Sequence, residues 1–293
     1  MSTKKFTELD LPESKRWENL TLANDFMFGK VFQDLDLCLE LVRLILPELN
    51  IERITRHEHQ KPAHETMDTK GVRFDVYLHD DKGRIIIVEM QVADNKNLPR
   101  RTRVYHSEAD LDAMDKNTPK LYKNMPETIL IFICAFDPFK LGRHIYTFRN
   151  ICVEERNLFL DDGASTIFLN TKGRDKDISP ELKAFLDLIN GKSSDDDFVR
   201  RLERRLNYAK QNKYWRQEYL LTEFEWNEAK AESFEEGREE GIAIGEKQGI
   251  AIGEERGILK ASFDIARSML KAGFDSMQIC ALTKLSLDDL KKL

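Results

Sequence analysis

Cysteine is scarce in this chain. Its four cysteines, Cys38, Cys134, Cys152 and Cys280, are too widely spaced for a disulfide framework or a paired zinc-ligand pattern. That usage fits a reducing compartment, and the cytoplasm is the expected location. Long apolar runs are also missing: the longest, Thr128 to Phe136, falls well short of the roughly 20 residues that cross a bilayer. Met1 to Asp10 holds no apolar signal core, so neither export nor a membrane partner is expected. A large excess of positive charge is absent as well. With 46 basic against 52 acidic residues the net charge is -6, which excludes a protein that coats nucleic acid indiscriminately by displacing counterions.

What is present is enough apolar material for a substantial core. The 293 residues are 41% hydrophobic, as expected for one large domain or two smaller ones. Basic charge is local. Lys96 to Arg103 carries Lys96, Arg100, Arg101 and Arg103 without an acid, and Arg200 to Arg216 carries seven basic residues against Glu203 alone.

Apolar residues at Phe28, Val31, Phe32, Leu35, Leu41, Val42 and Ile45, with Thr21 and Asn24 as candidate caps and Pro47 as a stop, predict one or two packed helices. Residues 50 to 70 are polar and without a period. The period then becomes two: Val72, Phe74, Val76 and Leu78 alternate with Arg73, Asp75, Tyr77 and His79, and Arg84 to Val92 is β-branched, which predicts a hairpin. A helix from about Pro99 to Met114 follows, then strands at Thr128 to Phe136 and near Ile145 to Phe148, Asn157 to Leu160 and Thr166 to Asn170. This order reads as α/β or α+β.

The hairpin register decides which side chains share a face. A three-residue loop of Asp81, Lys82 and Gly83, with the glycine in the left-handed position, pairs Asp80 with Arg84 and sets Asp75 opposite Glu89. Two carboxylates so placed, roughly 5 Å apart at their β-carbons, destabilise a hairpin unless a cation lies between them. Gln91, two residues beyond Glu89, projects from the same face and could orient water or phosphate. Hard oxygen ligands with room for water suit magnesium. A four-residue loop would separate the two acids, and carboxylates on the wet side of a hairpin are ordinarily just solvated. The unbroken run Ile85 to Val88 argues for a strand covered on both faces, with Glu89 and Gln91 at the rim of a core.

The stretches TLANDFMFGKVF from Thr21, KGVRFDVYLHDDKGRIIIVEMQ from Lys70, LPRRTRVYHS from Leu98 and ILIFICAFDPF from Ile129 resemble the bacterial recombination-promoting, transposase-like nucleases of the PD-(D/E)XK superfamily. The resemblance covers about residues 20 to 260. It implies an α/β fold with a restriction-endonuclease-like αβββαβ core, a mixed sheet flanked by helices, and a helical C-terminal tail. It also implies that Asp75 and Glu89 ligate magnesium or manganese, with Gln91 in place of the usual lysine. Asp25 matches a supporting position, and Arg101 and Tyr105 match the arginine and tyrosine after the second catalytic strand. Those two are four residues apart and share a helix face, where the arginine suits a phosphate. His106 departs from the family pattern.

The expected organisation is therefore a nuclease-like domain over residues 1–195, a basic aromatic-rich helix over 196–232, a glycine-repeat helix or linker over 233–260 and a small helix-turn-helix-like unit over 261–293. In the second segment, Tyr208, Tyr214, Trp215 and Tyr219 are expected mainly as core, with the basic residues as a solvated face. Gly237, Gly241, Gly245, Gly249, Gly253 and Gly257 recur every four residues, and the even spacing favours a helix. Residues 261 to 293 carry five basic against four acidic residues, which favours a packing or oligomerisation module over a DNA reader. The five histidines His57, His59, His64, His79 and His106 tempt a zinc reading, but His57 and His59 are expected in an exposed connection with no cysteine near. The leading functional expectation is a magnesium-dependent DNA endonuclease, with DNA as partner and a homodimer through the tail. The rival is a non-catalytic DNA-binding or interaction protein that keeps the fold.

Overall fold

The computed structural model describes residues 7–62, 73–114, 122–174 and 176–293, apart from the side chains of 60–62. The chain divides into two compact units, the first ending at Leu220 and the second running from Leu221 to Leu293. Among the described residues no helix is long and apolar enough to cross a membrane.

The first unit is a six-stranded mixed sheet in the order β1-β2-β3-β4-β6-β5, with helices on both faces. Its strands are β1 (Ile54–Pro62), β2 (Arg73–Asp80), β3 (Ile85–Gln91), β4 (Thr128–Cys134), β5 (Ile145–Phe148) and β6 (Ala164–Asn170). Helices α1 (Asp25–Val31) and α2 (Leu35–Ile45) precede the sheet, and α3 (Leu98–Ala113) follows β3. After the sheet come α4 (Pro180–Ile189) and α5 (Asp197–Gln211).

Local chemistry explains most boundaries. Asn24 caps α1 through Met27 N–H, and Asp34 caps α2 through Asp36 and Leu37 N–H. β2 and β3 join through the expected three-residue loop: Asp80 N–H donates to Arg84 O, Gly83 sits at φ +78, and the Asp80 carboxylate accepts from Lys82 N–H, Arg84 N–H and Arg84 Nε. β3 then pairs in parallel with β4, and β4 with β6.

One face of the sheet buries Val76, Leu78, Ile86, Val88, Ile131 and Leu169 under α1, α2, α4 and α5. The other buries Tyr77, Ile85, Ile87, Phe132 and Phe168 under α3, which contributes Leu98, Tyr105, Ala109 and Ala113. Each large side chain so enclosed contributes on the order of 2 kcal/mol of burial. A third cluster joins Leu11, Trp17 and Leu20 of the N-terminal segment to Phe26, Met27 and Tyr219, and Trp17 Nε1–H donates to Lys210 O.

Several expectations are corrected. Residues 54–62 form the polar edge strand β1, paired antiparallel with β2, so His57 and His59 lie on a strand rather than in a connection. A cysteine is also near: Cys38 Sγ lies 3.6 Å from His57 Nε2. His59 meets Gln33, and His64 lies outside the described residues. Among the described residues no cluster of three or more His, Cys, Asp or Glu could hold a metal ion, which leaves the zinc reading without support. Asn157 to Leu160 is not a strand, only a bridge of Phe159 to Ile151. In the basic aromatic segment Tyr219 is core as expected, but Tyr208, Tyr214 and Trp226 are exposed.

The glycine repeat is helical. It lies inside α6 (Lys213–Lys271), and among the described residues nothing beyond the adjoining turns of the helix itself comes within 4 Å of where a Cβ would stand on any of its six glycines. In the second unit the end of α6 packs with α7 (Ser276–Thr283) and α8 (Leu287–Leu290) through Ala266, Ile279, Leu285 and Leu290. Gly273, at φ +84, makes the first turn.

Candidate active site

The β2–β3 ladder runs His79↔Ile85, Leu78↔Ile86, Tyr77↔Ile87 and Val76↔Val88. One step further this register sets Asp75 opposite Glu89, and there the ladder opens. Side chains replace the missing backbone bonds. Asp75 N–H donates to Glu89 Oε1 at 3.0 Å, and Met90 N–H donates to Asp75 Oδ2 at 2.9 Å. The face alternation of β2 breaks at the same point, since Phe74 joins Tyr77 in the α3 cluster while Val76 and Leu78 join the other.

Glu89 is only 4% exposed. Its second oxygen, Oε2, accepts from the Tyr105 hydroxyl at 3.1 Å. Tyr105 OH in turn accepts from Arg101 Nη2 at 2.6 Å, and Arg101 Nη1 donates to Gln91 Oε1. Gln91, Arg101, Tyr105 and Glu89 thus form one hydrogen-bonded chain between β3 and the first turns of α3. The Arg101 guanidinium also lies 5.9 Å from the Phe132 ring centroid on β4. Asp25 enters from the opposite layer, at the start of α1, with Oδ1 accepting from Phe26 N–H, and its charge reaches Asp75.

The electrostatics follow from burial. Desolvation pushes the Asp75 carboxyl up to about 7; the Asp25 charge adds to this, while Met90 N–H, Arg73 and Arg101 oppose it. Burial and then the Asp75 charge push Glu89 well above the ordinary carboxylate range. Burial also raises the Tyr105 hydroxyl, which keeps it a donor. Among the described residues neither Asp75 nor Glu89 makes an ion pair with Lys or Arg. Two acids facing each other, Glu89 buried and Asp75 half-buried, without a matching cation form a site short of positive charge.

That donor set fits a hard divalent cation. It offers carboxylate oxygens from two strands and an amide oxygen nearby, and too few protein ligands for a closed cage, so water or phosphate must complete the shell.

All six residues singled out in the sequence can be placed. Asp75, Glu89, Gln91, Arg101 and Tyr105 come together in direct contact or through one another, and Asp25 comes within electrostatic reach. His106 faces away, with Nε2 3.0 Å from Thr166 Oγ1 on β6. Sequence reasoning missed Met90, which acts through its backbone N–H and leaves no side-chain signal. It also missed Lys30, buried in α1 against the Phe26 and Trp215 rings and bonded to both oxygens of Glu218 at 2.8 Å, a tie that fixes α1 and so Asp25.

A helix, three strands, a helix and a strand, with facing acids where the two inner strands part, define a nuclease-like α/β fold of the PD-(D/E)XK kind. Residues 22–197, more than half of the chain, match the PD-(D/E)XK nuclease family transposases, and the chain belongs to that family of recombination-promoting, transposase-like nucleases. Residues 259–293 match the C-terminal HTH domain of the Rpn/YhgA-like nuclease family. No curated protein and no solved structure gives a match.

Proposed function

We propose that the protein is a magnesium-dependent DNA endonuclease that hydrolyses phosphodiester bonds in DNA recombination or mobile-element processing. The observation that carries this reading is the facing pair of half-buried Asp75 and buried Glu89, raised in pKa and tied through Tyr105 and Arg101 to Gln91. Magnesium or manganese held by Asp75 and Glu89 would supply Lewis acidity and a water of lowered pKa. Around it, Gln91 orients that water or the phosphate. Arg101, with N–H groups beyond those it gives to Gln91 and Tyr105, takes up phosphate charge. Tyr105 holds the Glu89 carboxylate in orientation, and Asp25 adds negative charge that strengthens cation binding.

DNA as partner is supported by both family matches, and the match of residues 259–293 to an HTH domain favours a DNA reader there over the packing module expected from its nearly balanced charge. A homodimer through α6 is supported by its unpartnered glycines and by the exposed Ile242, Ile250 and Ile258. Each glycine costs a helix interior about 1 kcal/mol against alanine, which close approach of a second backbone can offset. The four unbridged cysteines support a reducing cytoplasm.

The test is nicking of supercoiled plasmid by the purified full chain with magnesium, with Asp75→Ala alongside. Metal-dependent nicking that is lost in the variant is expected. Full cleavage by the variant would sink the site assignment, and metal-free DNA binding without cleavage by the wild type would leave a non-catalytic DNA-binding protein.

A further inference from the structure

The two ends of the sheet differ in charge. At the end where β1 meets the β2–β3 turn and where β4 and β6 begin, Glu48, Glu127, Asp161 and Asp162 outnumber Arg43 and Arg149 in the lining of a cleft of about 600 Å³ that extends to Asp177. The other end carries the Asp75–Glu89 site, and its cations are exposed. Lys96 and Arg100 stand at the start of α3, Lys140 and Arg143 in the loop after β4, and Arg174 and Lys176 in the loop after β6. Among the described residues none of these six makes an ion pair, whereas Arg84, Arg201 and Arg216 elsewhere in this unit are paired with acids.

The loops bearing these cations are held firmly. Asp137 turns the β4–β5 loop by accepting from Phe139, Lys140 and Gly142 N–H and from the Tyr146 hydroxyl. Arg174 N–H donates to Gly142 O at 2.7 Å and Asn170 Nδ2 to Arg143 O at 2.8 Å, which joins the two loops. Asp177 is turned inward onto His144, through its N–H at 3.0 Å and Nδ1 at 2.8 Å. Of the acids in these loops, Asp137 and Asp177 are therefore committed to internal hydrogen bonds, Asp175 lies outside the described residues, and Asp94 is an exposed acid of the rim beside α3.

This rim is continuous with the site. Gln91 pairs with Cys134 and Cys134 with Asn170, and the β5–β6 register sets His144 beside Asn170. Three strand spacings carry the rim roughly 14 Å from Gln91, about four base-pair steps along a duplex.

We propose that the duplex flanking the scissile phosphate lies along this rim, with Lys140, Arg143 and Arg174 contacting its phosphates. The proposal rests on the nuclease reading above and adds the track that the substrate follows. Such contacts are insensitive to sequence and set the register of the duplex on the protein.

The test measures binding of a labelled duplex by the full chain with calcium, by fluorescence anisotropy across a salt series. It compares wild type, K140A/R143A/R174A and the charge-matched R53A/K82A/K123A, whose positions lie toward the acidic end. The rim variant should bind at least about tenfold more weakly, and its log–log salt slope should be smaller by about 2.7, three contacts at about 0.9 each. The control variant should do neither. A rim variant with wild-type affinity and slope, or a control that loses as much, overturns the proposal while nicking by the wild type still upholds the nuclease reading. A wild type that neither binds nor nicks DNA refutes both.

Discussion

Asp75→Asn should make the metal-free protein more stable at alkaline pH, and the size of the effect can be worked from the site. The carboxyl is moved from an ordinary 3.8 to about 7 when the chain folds, chiefly because burial penalises its charged form. Below the unfolded value both states hold the proton and the group contributes nothing. Between the two values the unfolded chain has released its proton while the folded chain keeps it, so stability falls as pH rises; above about 7 the loss is complete. The two carboxyls titrate as a pair, because the Asp75 charge also raises Glu89, so Asp75→Asn relieves both and the difference at high pH is on the order of a few kcal/mol, several degrees in Tm. Thermal melts in EDTA from about pH 4 to about pH 8 should therefore show the wild type losing stability relative to Asp75→Asn, and the difference should level off near the folded pKa. Burial lowers the pKa of His57, His59 and His106, so their contributions are lost as pH falls. Both proteins share that effect, and it cancels in the difference. Magnesium should restore the wild type at high pH and leave the variant where it was. Parallel melting curves for the two proteins across the range would refute the buried-carboxylate argument, and an equal magnesium shift in both would remove Asp75 from the cation site.

Gln91→Ala should slow plasmid nicking while magnesium binding persists in calorimetry, and Gln91→Lys should be tolerated; loss of all metal binding in Gln91→Ala would make Gln91 a ligand. Tyr105→Phe removes the hydroxyl that joins Arg101 to Glu89 and should lower stability by about 1–2 kcal/mol in urea melts, an unchanged midpoint arguing that Glu89 finds another donor. The full chain should sediment as a dimer at micromolar concentration, and truncation after Ala231 should leave a folded monomer able only to nick; a monomeric full chain or a dimeric truncated one would exclude α6 as the dimerisation element.

The Asp75–Glu89 register was legible in the sequence because a turn is a local event. Gly83 and the flanking Asp80 fix a three-residue loop whatever lies elsewhere, and a period of two carries the register along both strands. The burial of Glu89 was legible too, since four β-branched residues in a row before it require cover on both faces. The contact of Arg101 with Tyr105 followed from helix periodicity in the same way. Strand β1 was not legible. It is an edge strand whose charges and histidines need no apolar alternation, because one side of it meets solvent rather than a neighbour. Nor did any local signal show that the ladder opens at Asp75 and that the two carboxylates bond the amides of each other's strands. Those bonds join two strands fourteen or fifteen residues apart in the chain and form only once the sheet is assembled. The approach of Asp25 from α1, secured by Lys30 and Glu218 across 188 residues of chain, and the gathering of two distant loops on the rim beside the site belong to the same class. Residue type and spacing govern turns, periods and faces, which act over a few residues. Which faces meet is set by burial of the whole apolar surface, and that sum can be read only from the folded chain.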